Sequence, residues 1–96
     1  MKLPARDTNL GRVLRAMNSA GPLTAGEVRK RAGLAPDTAI TARIRDLRKL
    51  GCVVLSYCEP HPTDPHKRLW RYKIVAMPKW MRRELGREAR QMGRAA

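Results

Sequence analysis

Basic side chains recur on one side of a predicted helix that begins at or beside Asp37 and runs to about Leu50. At 100° per residue, Ile40, Ile44 and Leu47 fall together on one side of this helix. The opposite side carries small, hydroxyl and basic residues, which can contact base edges and phosphates. We therefore expect this outer side to meet a polyanion. The candidates for base edges are Thr38, Thr41, Ala42 and Arg45, and the candidates for phosphates are Arg48 and Lys49.

The charge balance supports this interpretation. The 96 residues include 21 Lys and Arg against 8 Asp and Glu, which gives a formal net charge of +13. A domain with that imbalance repels itself, so we expect the excess charge to serve an anionic partner. Nucleic acid is the usual partner of such a surface, and a membrane is the second alternative.

The sequence favours an intracellular setting. No segment is long and apolar enough to span a bilayer, and the N-terminus lacks the apolar stretch of a secretory signal. Cys52 and Cys58 do not form the disulfide framework of a small secreted protein. We expect a cytoplasmic protein with reduced thiols, associated with the nucleoid when it is bound to DNA.

A first helix is predicted over about 9–20. Asp7 or Thr8 can cap its start, because their side-chain oxygens accept hydrogen bonds from free backbone N–H groups. Apolar residues follow at helical spacing, and the pair Gly21 and Pro22 ends the helix.

A second helix is predicted over about 25–32. Thr24 and Glu27 form a T-x-x-E capping box at its start. Gly33 can end it in the left-handed conformation that glycine adopts without strain. Two basic residues on this helix are candidates for supporting contacts to DNA, Arg29 and Lys30.

A β-hairpin is predicted after the basic helix. The run Cys52–Cys58 is β-branched and apolar, and 68–75 alternates in character, so both are typical of strands. The segment between them contains three prolines and is expected to be a loop. Trp70 and Tyr72 share one face of the second strand, and we expect both to pack in the core rather than stack on bases.

A last helix is predicted over about 78–93. Met81, Leu85 and Ala89 form an apolar stripe, and the other face is rich in Arg. The stripe can pack on its own domain or form the contact of a homodimer. Because it is narrow and rich in Met and Ala, we expect no membrane binding.

The phrase T-A-I-T-A-R-I-R-D-L-R-K-L-G-C-V-V resembles the third helix of the winged-helix family and its exit into the first wing strand. A hydroxyl residue, Thr41, follows an inward aliphatic, Ile40. Leu47 lies four residues before Gly51. The resemblance covers roughly 8–75 and implies an α+β, mostly α fold with the three helices of a winged helix-turn-helix and a two-stranded wing hairpin. The last helix lies outside the resemblance and is predicted from its own pattern as an extra C-terminal helix. We expect a flexible arm at 1–8, a DNA-binding domain at 9–76 and a basic C-terminal helix at 77–96.

The resemblance implies a sequence-specific protein that binds double-stranded DNA, similar to small transcriptional regulators of bacteria and their phages. Its third helix would enter the major groove, and its wing would follow the flanking backbone or the minor groove. Ala42 stands where the family often has Arg, which implies a thymine-methyl or backbone approach there. The implied wing contacts are His66, Lys67, Arg68 and Arg71. The alternatives are a protein-interaction or architectural subunit of a nucleoprotein assembly, and an RNA-binding module.

Enzymatic chemistry has little support in the sequence. The eight carboxylates are scattered, and neither a phosphate-binding Gly-rich loop nor a paired general acid and base is visible. Cys58, His61 and His66 lack the paired close ligands of a zinc site. We therefore expect no catalytic residue, no metal, no cofactor and no small-molecule substrate.

Overall fold

The protein has an α+β architecture in which the helices pack on one face of a small antiparallel sheet. The structure, a computed structural model, describes the backbone of residues 2–95 and the side chains of residues 2–92. Within these residues the sheet has three strands in the order β1-β3-β2, and both pairings are antiparallel. The elements in chain order are α1 (Asn9–Met17), β1 (Leu23–Thr24), α2 (Ala25–Ala32), α3 (Ile40–Lys49), β2 (Val53–Pro60), β3 (Arg68–Ala76) and α4 (Lys79–Ala95).

Helix α1 is shorter than the sequence predicts. The hydroxyl of Thr8 accepts a hydrogen bond from the Gly11 N–H at 3.0 Å and caps the helix, which confirms one of the two expected caps. The prediction that the helix continues to residue 20 is wrong. Asn18 takes an extended conformation and Ser19 a positive φ of 60°, so the chain turns towards β1 before it reaches Gly21.

Helix α2 begins and ends at the residues that the sequence predicts. The Thr24 hydroxyl accepts from the Glu27 N–H at 3.1 Å, and the Glu27 carboxylate accepts from the Thr24 N–H at 3.0 Å. Gly33 adopts a φ of +67° and ends the helix, while the next N–H, of Leu34, donates to the Arg29 carbonyl. The capping box and the glycine terminus are therefore confirmed.

Helix α3 begins at Ile40, three residues later than the earliest residue predicted for it. A turn precedes it, in which the Thr38 N–H donates to the Ala35 carbonyl. Ala39 occupies the N-cap position and has no side chain that could cap the helix. The helix ends at Lys49, so Leu50 is the C-cap rather than the predicted Gly51, which follows it with a φ of +104°.

The sheet extends the expected hairpin by one short strand. β2 and β3 pair with Val54 opposite Ile74 and Cys58 opposite Trp70, which confirms a hairpin. β1 was not expected from the sequence, and it pairs with β3 by placing Leu23 opposite Tyr72. Two residues carry too short a pattern to predict a strand, and β1 forms because β3 provides the backbone partner.

The hairpin reaches further than the helices that cover it. Tyr72 and Ile74 pack against the core, as the alternation of β3 predicts. Trp70 lies on the same face but is 49% exposed, so its predicted burial in the core is wrong. Near the loop, the inner face of β3 passes beyond the helical layer and has solvent beside it.

Helix α4 completes the core instead of lying apart from it. Met81 and Leu85 are buried with residues of α1 and α3, and the Cys52 sulfur lies 3.4 Å from the Met81 sulfur. The sequence left open whether the apolar stripe packs on its own domain or forms a homodimer contact. Met81 and Leu85 pack on their own domain, whereas Ala89, further along the stripe, is exposed. No helix within residues 2–95 combines the length and apolar character needed to cross a membrane.

The segment before α1 lies against the helices. Leu3 packs against the core, and the Pro4 carbonyl accepts a hydrogen bond of 2.9 Å from the Arg15 guanidinium. Gly11 is buried where this segment crosses α1, and a side chain there would meet the Ala5 carbonyl. These contacts hold residues 3–5 against the helices, and the flexible arm expected over residues 1–8 stays a prediction.

Candidate nucleic-acid interface

The outer face of α3 presents basic side chains to solvent. Ile40, Ile44 and Leu47 are fully buried, as predicted, and they hold the helix to the core. Helical geometry therefore places Arg45 and Lys49 on the outer side, where both are exposed. Among the side chains of residues 2–92, no carboxylate lies within ion-pair distance of either group. Thr41 is exposed and Ala42 is half-buried beside them.

Arg48 is partly committed to the fold. Its guanidinium donates to the Val54 carbonyl at 2.8 Å and to the Ser56 hydroxyl at 3.2 Å. These bonds tie α3 to β2 and leave only the remaining N–H groups of Arg48 for a phosphate. The residue is a structural link as well as a candidate contact, and the sequence predicted only the second role.

Two expected contacts lie away from the α3 face. Thr38 precedes the helix, and its carbonyl accepts a hydrogen bond of 2.8 Å from the Arg29 side chain. The prediction that Thr38 is part of this helix is therefore wrong, since the turn after Ala35 delays the start of α3, whereas its contact with DNA stays a prediction. Arg29 uses its Nε in the same bond, whereas the neighbouring Lys30 is exposed on α2.

The hairpin loop is basic and internally hydrogen-bonded. Asp64 organises it by accepting from the His66 N–H at 3.0 Å through its side chain and from the Lys67 N–H through its carbonyl. The His61 N–H in turn donates to the Lys67 carbonyl. His66 and Lys67 of the loop and Arg68 at the start of β3 are exposed around this frame, so this end of the hairpin presents the positive charges of Lys67 and Arg68 in a defined place.

Arg71, predicted as a contact of the hairpin with DNA, is held by two carboxylates. Its guanidinium lies 2.7 Å from Glu59 on β2 and 3.0 Å from Glu27 on α2. The hydrogen bond to Glu59 and the charges of both carboxylates raise the pKa of Arg71 further above its ordinary value. Arg71 therefore joins the hairpin to α2, and its charge is locally balanced rather than available.

A groove of about 300 Å³ lies between α3 and the inner face of the hairpin. Thr41 and Arg48 line its helical side, and Ser56, Trp70 and Tyr72 line its sheet side. The exposed indole of Trp70 gives this groove an apolar wall beside a guanidinium. Alternation along β3 indicates the face of Trp70 but not its exposure, which depends on how far the helices extend.

The cysteine and histidine side chains stay apart. Cys52 is buried as a small apolar residue, and burial raises the pKa of its thiol, whereas Cys58 is exposed on β2. His61 accepts a hydrogen bond from the Thr63 N–H in the hairpin loop. Within the described part of the chain, no three His, Cys, Asp or Glu side chains are grouped as ligands for a metal ion.

Comparisons of the chain with known proteins identified no relative. No protein-family model, curated protein or solved structure matches the chain. The function must therefore be inferred from the chemistry of the α3 face, the basic hairpin loop and the groove between them.

Proposed function

We propose that this protein is a winged-helix protein that binds double-stranded DNA sequence-specifically and regulates transcription. In this proposal α3 enters the major groove, and the β2–β3 hairpin is a wing that follows the flanking backbone or the minor groove. A major groove about 12 Å wide admits a helix of about 10–12 Å diameter.

The proposal depends on one observation above all. Arg45 and Lys49 project from the exposed face of α3, and within residues 2–92 neither has an acidic partner. Charged groups left without a partner on a rigid helix are suited to an external anion, because no internal bond has to break. The α4 helix packs against the core through Met81 and Leu85 and leaves this face open.

The residues of the surface would have different tasks. Arg45 can donate two parallel hydrogen bonds to a guanine edge, and Thr41 can bond to a base or a phosphate beside it. Lys49 is a point charge suited to a phosphate, as is Lys67 on the hairpin loop, and the guanidinium of Arg68 at the start of β3 can bond a phosphate with parallel N–H groups. Contacts to phosphates would set affinity, whereas Arg45 would set preference among sequences.

The test begins with selection of bound fragments from a random duplex library. Affinity of the full chain for the selected duplex and for scrambled duplexes is then measured over a range of salt concentrations. We expect Arg45→Ala to lower the preference for the selected duplex by roughly 5- to 160-fold, which corresponds to one bidentate base contact. We expect Lys49→Ala to weaken binding to all duplexes and to reduce the slope of log affinity against log salt by about 0.9.

Arg83→Ala is the matched control for both variants. Arg83 is an exposed residue of α4, and its removal lowers the net charge by the same amount. If all three variants weaken binding equally, attraction is unspecific and the proposed reading helix is refuted. Failure of the selection to yield a consensus would contradict sequence-specific regulation. Tighter binding to structured RNA than to duplex DNA would show that RNA, and not DNA, is the partner.

A further inference from the structure

A second groove lies between α1, the end of α2 and the last turns of α4. Its volume is about 540 Å³, and it shares no lining residue with the groove beside α3. Leu85, Ala89 and Met92 form its floor at helical spacing along α4. Leu85 is buried, but Met92 is 57% exposed although it continues the same stripe. The apolar face of α4 therefore runs on beyond the part that the core covers.

Guanidinium groups surround this apolar floor. Arg31 donates its Nε to the Ala16 carbonyl at 2.9 Å, and Arg12 donates weakly to the Gly33 carbonyl at 3.5 Å. One N–H of each group anchors it at the rim, and the others stay free for a ligand. Among the described residues of the lining, Glu88 is the single carboxylate, and Arg15 already neutralises it with a two-point hydrogen bond.

We propose that this groove binds an acidic segment of another protein that presents an apolar side chain between carboxylates. The apolar side chain would cover Met92, and the carboxylates would pair with Arg12 and Arg31. Arg with carboxylate is a favoured pair at interfaces because the two groups match in charge and shape.

Charge and polarity together select this occupant. A DNA backbone would satisfy the guanidinium groups but would place nothing apolar against Met92. A second copy of this chain, with its formal charge of +13, would bring further positive charge to a rim that is already cationic. An acidic segment with an apolar residue satisfies both parts of the groove.

The test uses synthetic peptides and the full chain. A fluorescent peptide of repeating Glu-Glu-Leu units is titrated at physiological salt, and fluorescence anisotropy measures its binding. Peptides of repeating Glu-Glu-Ser and Gln-Gln-Leu units separate the effect of charge from the effect of the apolar side chain. We expect the Glu-Glu-Leu peptide to bind at least about tenfold more tightly than either control, since it alone provides both contacts.

Substitutions then locate the site. We expect Arg12→Gln and Met92→Ser each to weaken binding of the Glu-Glu-Leu peptide by roughly 3- to 10-fold. Both side chains are exposed, so these variants should keep the fold, and thermal unfolding checks that they do. Arg83→Gln removes one charge elsewhere on α4 and should weaken binding less than either of these variants, because it acts only through the long-range field.

Four outcomes would overturn the inference. Equal binding of the Glu-Glu-Ser peptide, or an unchanged affinity in Met92→Ser, would show general attraction to polyanions. A loss of peptide affinity in Arg83→Gln equal to that in Arg12→Gln would also show general attraction to polyanions. A parallel loss of affinity for random duplex DNA in Arg12→Gln would make the groove a phosphate site. The inference is independent of the proposed function, because Arg45→Ala should alter DNA binding without affecting the peptide.

Discussion

The hydrogen-bonded pair of Arg15 and Glu88 should decide how firmly α4 is held against α1. Arg15 donates its Nε to one carboxylate oxygen at 3.0 Å and its Nη2 to the other at 2.6 Å. Arg6 adds a weaker contact at 3.6 Å. The substitution Glu88→Gln keeps the shape of the side chain and removes its charge, so it isolates the electrostatic part of the bond.

The expected cost of Glu88→Gln lies between that of a surface pair and that of a buried one. The two side chains are 21% and 25% exposed, which shields the pair only partly from water. Exposed pairs contribute up to about 1 kcal/mol, and hydrogen bonds to charged groups about 1.5–3 kcal/mol. We therefore expect a loss of about 1–2 kcal/mol, which lowers the melting temperature by roughly 4–16 °C in a domain of this size.

The effect should depend on pH in one direction. Hydrogen bonding from Arg15, with the charges of Arg15 and Arg6, lowers the pKa of Glu88 below its ordinary 4.5. A lowered carboxyl pKa stabilises the fold above the pKa of the unfolded chain, and this contribution disappears as pH falls through the folded pKa. The difference between the native chain and Glu88→Gln should be constant near neutral pH and shrink below about pH 4.5.

Urea and thermal unfolding, followed by circular dichroism across this pH range, measure the difference. Glu84→Gln is the control, since among the described side chains Glu84 forms only a 3.7 Å contact with the exposed Arg87 one turn away. That variant should change the free energy of unfolding by less than about 0.5 kcal/mol. Equal effects of the two substitutions, or a loss in Glu88→Gln that persists unchanged at acid pH, would refute the role given to this pair.

Three further predictions follow from local geometry. Gly51→Ala should cost about 1–3 kcal/mol of unfolding free energy in urea, because φ is +104° and the added carbon would lie 2.8 Å from Pro78. An unchanged midpoint would contradict that strain. Thr24→Ala should lower the free energy of unfolding by about 1 kcal/mol, because the capping box is lost. An unchanged free energy of unfolding would show that the capping box does not stabilise α2. In Trp80→Phe, duplex DNA should change the fluorescence of the remaining Trp70, whereas Trp70→Phe should respond little. The reverse pattern would place DNA away from the hairpin groove.

The features that sequence predicted well depend on neighbours within a few residues. The capping box of Thr24 and Glu27 closes over three residues, and Gly33 needs only its own backbone freedom. The buried stripe of Ile40, Ile44 and Leu47 follows from helical spacing alone. Such features are readable because the interacting groups are set by local geometry.

The features that sequence missed depend on the tertiary arrangement. Arg71 has partners 12 and 44 residues away along the chain, so nothing near it indicates that its charge is balanced. Alternation gave the correct face for Trp70 but could not show that the helices stop short of it. Thr38 was placed on α3 by helical spacing, although its carbonyl is used by Arg29 in the preceding turn.

The basic residues of this chain divide into two groups that net charge cannot separate. Arg15, Arg48 and Arg71 donate to carbonyl, hydroxyl or carboxylate oxygens of the protein, and their charges hold elements together. Arg45 and Lys49 have no such acceptor among the described residues. Both groups add to the long-range field that attracts an anion, but only free N–H groups can make short-range contacts without breaking a bond in the fold. Attraction to a polyanion should therefore follow total charge, whereas discrimination between partners should follow the few unbonded donors on α3.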